Sequence, residues 1–226
     1  MRVLLPLPIV LPLAAAGLSI VAGRWRWLQR AIGIATLAAT SAVAAAILVQ
    51  VDRDGTGTQS TQMGGWPAPF GITLVADRFA AIMLTVASLM LVAVLVYAIG
   101  QGGTERERVA FHPVYLVLAA GVGAAFLTGD LFTLFVAFEM MLTASYVLIT
   151  LGGRREQVRA GMTYVVISLI ASALFLTALA FIYAATGTVN MADLATKLPD
   201  LAAPLPAAFA LLLFVVFGIK AAVFPL

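Results

Sequence analysis

The chain has 226 residues, 63% hydrophobic and only 10% charged, with a net charge of +3, one histidine and no cysteine. Soluble domains carry about 25% charged residues, so a chain with a mean hydropathy of +1.09 reads as an all-α integral membrane protein. The arginines cluster in short loops between apolar runs, a membrane-topology pattern that excludes nucleic acid as a partner, and the Cys/His count excludes disulfides, thiolate metal sites, cysteine-ligated iron–sulfur clusters and bis-histidine haem, leaving no cofactor or metal to expect.

Seven membrane spans are predicted, at about 3–23, 31–51, 78–100, 112–129, 131–151, 161–185 and from 205 onward. The first has the makings of a signal peptide: one arginine, an apolar stretch, then small residues. It runs on to Ala22, however, and meets Arg24, Arg26 and Arg30, which favours a first membrane helix with Pro6, Pro8 and Pro12 inside it. Residues 52–76 begin polar and turn apolar around Trp66, Pro67 and Pro69, which suggests an ordered interfacial loop. Arg106 and Arg108 follow span three, and Arg154, Arg155 and Arg159 follow span five. With seven spans these loops share a side with Arg24–Arg30, so that side is expected to be cytoplasmic and the N-terminus outside.

Spans four and five are separated only by Thr128, Gly129 and Asp130. They must form a tight hairpin, with Asp130 capping span five. Residues 187–201 read as a short surface helix capped by Asn190, with Asp193 in its first turn and Pro199 stopping it; a plain loop is the alternative. The chain divides into a three-helix segment at 1–111 and helices four to seven at 112–226.

Two charges stand inside apolar runs. Glu139 lies roughly 13 Å along span five from Asp130, near the membrane midplane, and Lys220 about 22 Å along the last span. An ionised group at that depth costs at least about 2.5–3.5 kcal/mol, so it is expected to have a partner or a function. Burial disfavours the charged form of both groups and mutual proximity favours it. A pair whose separation varies can therefore take up and release a proton; a static ion pair that fixes packing is the alternative. Gly218 precedes the lysine and Pro225 follows it, so the helix is expected to break just beyond Lys220, as interrupted transporter helices do. Ser168, Thr163 and His112 are candidate relay residues. Ser168 and Ser172 share one face of span six and suit close packing or water, and His112 before Pro113 is otherwise a helix-entry residue.

Three blocks carry a family likeness. TGDLFTLFVAFEMMLTASYVLI (128–149), ASALFLTALAFIYAATGTVNMADL (171–194) and FGIKAAVFPL (217–226) resemble helices five, six and seven of the D-type subunit of the Mrp-type multisubunit Na⁺/H⁺ antiporters. The wider family includes the proton-pumping subunits of respiratory complex I and membrane-bound hydrogenases. The resemblance implies that Glu139 and Lys220 are the essential pair for proton translocation. It also implies about fourteen helices with two inverted repeats, of which this chain is the N-terminal part with an incomplete first repeat. The implied function is a non-enzymatic subunit of a bacterial inner-membrane antiporter exchanging Na⁺ or another monovalent cation for H⁺, with other antiporter subunits and the lipid bilayer as partners. A proton-pumping arm of a complex I-like oxidoreductase or hydrogenase, and a structural membrane scaffold, are the alternatives.

Overall fold

The computed structural model describes residues 4–53, 55, 57–66, 68, 71–101 and 110–223. Its helices are α1 (Leu7–Val21), α2 (Arg26–Arg53), α3 (Arg78–Gly100), α4 (Phe111–Leu127), α5 (Leu131–Thr150), α6 (Arg155–Thr186), α7 (Met191–Lys197) and α8 (Pro204–Lys220). Helices α2, α3, α5 and α6 are long and apolar enough to cross a membrane by length and composition, and α1, α4 and α8 are shorter apolar helices. Every predicted span is thus a helix. Pro67, Pro69, Arg106, Arg108 and Pro225 lie outside the described residues.

Helix α4 packs against α1, α2, α3 and α5, because its small residues let other backbones approach. A Cβ on Gly121 would stand 2.7 Å from Met141 Cγ and 3.3 Å from the Ala137 carbonyl oxygen of α5. A Cβ on Gly123 would stand 2.9 Å from the Pro8 carbonyl oxygen of α1. That carbonyl is four residues before Pro12, which has no N–H to bond it, so the proline in α1 and the glycine in α4 meet. Gly121→Leu is expected to prise α4 from α5 and lower stability by about 1–3 kcal/mol, measured as an earlier thermal transition in detergent.

At the end of the bundle opposite the arginine loops, three connections are tied together. The 52–76 segment holds two strands, β1 (Thr58–Gln62) and β2 (Thr73–Asp77), paired antiparallel with Thr58 opposite Asp77 and Gln62 opposite Thr73. This hairpin is an addition to the all-helical expectation, in which the segment is an ordered loop. The Thr73 carbonyl accepts from the Gly129 N–H at 2.9 Å, the Gly129 carbonyl accepts from Met191 at 2.9 Å, and the Val189 carbonyl accepts from Leu131 at 2.9 Å. Asn190, 4% exposed, donates its side-chain amide to Thr73 Oγ1 at 3.1 Å. Its carbonyl oxygen caps α7 by accepting from Ala192 and Asp193 at 3.1 and 3.3 Å. The short surface helix is therefore present; Pro199 sits in the 3₁₀ turn Leu198–Asp200 that finishes it.

Hydrogen bonds from Lys197 and Thr188 hold the Asp193 carboxyl below the usual carboxylate range. A depressed carboxylate stabilises the fold above its unfolded pKa and loses that contribution as pH falls through the folded value. Helix α7 is accordingly expected to stay docked at neutral pH and fray only in strong acid, which hydrogen exchange of its amides as a function of pH would register.

Candidate functional site

Glu139, Ser172 and Lys220 come together from three helices. Asp130 starts α5 as expected, its Oδ1 accepting from the Thr133 N–H at 2.8 Å, and this fixes where Glu139 falls nine residues later. Ser172 lies midway along α6, and Lys220 is the last residue of α8. The Lys220 Nζ stands 4.0 Å from Glu139 Oε1 and donates to Ser172 Oγ at 3.3 Å; Ser172 in turn donates to Glu139 Oε1. The lysine side chain is 11% exposed and the glutamate 31%. The serine hydroxyl thus bridges the base and the acid.

The two sides of this triad differ. One turn toward the strand-bearing end, Phe135, Phe138, Phe175 and Phe217 from the same three helices pack into one cluster. Phe175 meets Phe135, Phe138 and Phe217 at 5.8, 6.3 and 5.4 Å between ring centroids and is fully buried. Lys220 Nζ lies 5.1 Å from the centre of the Phe138 ring, a cation–π distance. Toward the arginine loops, a cleft of about 440 Å³ opens between the helices, lined by Lys220, Ser168, Ser145 and Tyr164 among apolar neighbours. The ionisable pair therefore has rings on one side and hydroxyl-bearing space on the other.

Helix α8 stops at Lys220 by a Schellman turn. The Ala222 N–H bonds the Ile219 carbonyl at 3.1 Å and the Val223 N–H bonds the Gly218 carbonyl at 3.0 Å. Ala222 takes the left-handed conformation at φ 52°, which ordinarily costs a non-glycine residue about 1–2 kcal/mol. The helix ends where the sequence places its break, with Lys220 as the basic residue of its last turn.

The other candidates are dispersed. Ser168 shares the cleft with Lys220. Thr163 is exposed, and its hydroxyl donates to the Arg159 carbonyl of its own helix at 3.3 Å. His112 is buried at the start of α4 beside Gly33 of α2, and its Nδ1 has no hydrogen-bond partner among the described residues. Ser172, which touches both charges, was legible as one of a pair suited to packing or to holding water, not as a partner of Glu139 and Lys220. Helical spacing places it on the face of Ser168, but nothing in the sequence shows that this face meets Glu139.

The apolar helices α1–α6 and α8, four of them long and apolar enough to cross a membrane, define a multi-pass membrane module. Residues 128–226 match the model of the NADH:quinone oxidoreductase/Mrp antiporter transmembrane family. The chain is 44% identical to the Na⁺/H⁺ antiporter D subunit of Alkalihalophilus pseudofirmus, over 100% of this chain and 46% of that protein. It is 45% identical to a probable K⁺/H⁺ antiporter D subunit of Rhizobium meliloti, over 99% and 42%. The structure superposes on the Mrp complex from a Dietzia species with a TM-score of 0.89 at 34% identity, over 99% of this chain and 42% of that one. It superposes on the archaeal membrane-bound sulfane sulfur reductase with a TM-score of 0.92 at 29% identity, over 100% and 46%. The chain spans less than half the length of these relatives.

Proposed function

We propose that the chain is part of a proton-translocating subunit of a multisubunit monovalent cation/proton antiporter. In this reading Lys220 accepts and releases the transported proton, and Glu139 modulates the lysine electrostatically or exchanges protons with it. The observation that carries the proposal is the approach of Lys220 to Glu139, 4.0 Å apart on separate helices at a depth where ionisable residues are as a rule functional. Protons enter through the cleft on the arginine side, the cytoplasmic side by the distribution of arginines. The N-terminus then lies outside. Relatives named for Na⁺ and for K⁺ are 44% and 45% identical to this chain, so the likeness does not select the cation. The likeness to the sulfane sulfur reductase, a respiratory complex, supports a second reading, in which the same module works beside redox subunits.

The test is cation-driven dissipation of a pH gradient in everted vesicles bearing the intact assembly, with Glu139→Ala and Lys220→Ala. Exchange is lost in both under the proposal. Normal exchange in either, with the assembly intact, refutes it and favours a structural scaffold.

A further inference from the structure

We infer that Ser172 is a proton-relay residue between Lys220 and Glu139. The inference rests on the proposed role of the pair and adds the route by which they communicate. Three observations support it. First, the serine oxygen accepts from Lys220 Nζ at 3.3 Å while its own hydroxyl points at Glu139 Oε1. Second, the direct gap of 4.0 Å between ammonium and carboxylate is too long for a hydrogen bond, whereas the serine hydroxyl bonds both groups, so it supplies the continuous hydrogen-bonded path. Third, its hydroxyl is committed to this site. Thr143, Ser145, Thr163 and Thr177 on the same two helices donate instead to carbonyls of their own helices, where they serve local backbone.

The step balances without any added reactant. An N–H bond of the Lys220 ammonium breaks and its proton joins Ser172 Oγ as the serine O–H proton passes to Glu139 Oε1. Lysine is left as the neutral amine, glutamate as the carboxylic acid, and serine as a hydroxyl now directed at the lysine nitrogen. Rotation of that hydroxyl about the Cβ–Oγ bond resets the path. No charge accumulates on the serine.

The experiment compares Ser172→Ala, Ser172→Thr and Lys220→Ala in the intact assembly, with assembly size checked after detergent extraction. Initial exchange rates are read in H₂O and D₂O. Ser172→Ala is expected to slow exchange by about 10- to 100-fold, less than the loss in Lys220→Ala because water can enter the space. It is also expected to change the solvent isotope effect. Ser172→Thr, which keeps the hydroxyl on the same carbon, is expected to restore most of the rate and the parental isotope effect. A parental rate in Ser172→Ala, or equal slowing in the alanine and threonine variants, overturns the relay while leaving the pair in place if Lys220→Ala is inactive. A parental rate in Lys220→Ala overturns the pair and the relay together.

Discussion

Lys220→Ala is expected to reduce cation-dependent proton exchange by at least about 100-fold, and combining it with Glu139→Ala is expected to add almost nothing. The first expectation follows from chemistry. Lys220 is the one ammonium at mid-depth in the described bundle, and no neighbouring hydroxyl can hold a proton as a cation. The second follows from mutual dependence: residues that act as a unit are strongly non-additive, because the first loss already disables the unit. Truncating one member of a buried pair also strands the other charge, at a cost of up to about 3–5 kcal/mol. The partial exposure of Glu139 lowers that figure, so the assembly is expected to survive both substitutions. Rates that fall additively, each by a modest factor, would mean that the two groups work at separate places.

Asn190→Ala is expected to lower stability by about 1–3 kcal/mol, the largest effect of any single polar truncation outside the triad. One side chain here performs two tasks. Its carbonyl oxygen satisfies two amides at the start of α7, and its amide donates to Thr73 Oγ1, which donates onward to Gln62 Oε1 at 2.9 Å. Alanine removes the bonds that Asn190 itself makes to Thr73, Ala192 and Asp193 in a site with little access to water. Asn190→Asp keeps the capping oxygen and is expected to recover roughly half the loss. For a chain of this size about 2 kcal/mol corresponds to roughly 4–8 °C in melting temperature, readable by tryptophan fluorescence in detergent. Because the same knot anchors the start of α5, the alanine variant is also expected to exchange more slowly.

The helices were legible because each is a long apolar run bounded by polar or charged residues, and four of them are long enough to match the membrane's thickness. The exceptions are instructive. Hydropathy places the starts of the second and sixth spans at about 31 and 161, whereas α2 begins at Arg26 and α6 at Arg155. Charged residues leave the hydrocarbon without leaving the helix, since backbone hydrogen bonding is indifferent to the side chains' solvent. The hairpin was hidden because TQSTQ has no apolar alternation to mark a buried face, and its pairing is set by Thr73 and Gln62 from outside the apolar spans. At the site, Glu139 and Lys220 announced themselves by the expense of a charge in oil. A serine carries no such signature, and the choice between Thr163, Ser168 and Ser172 depends on how α6 is rotated against α5 and α8, which a periodic pattern leaves open.

The ring cluster beside the triad has an electrical consequence. Where water penetrates, the membrane field collapses; where rings pack densely, it concentrates. Most of the potential drop is therefore expected across the phenylalanine layer. A charge crossing the full field exchanges about 2.3 kcal/mol with every 100 mV. Loading the lysine through the cleft would then be nearly independent of voltage, and passage beyond the rings would be the step at which the cell's potential does its work.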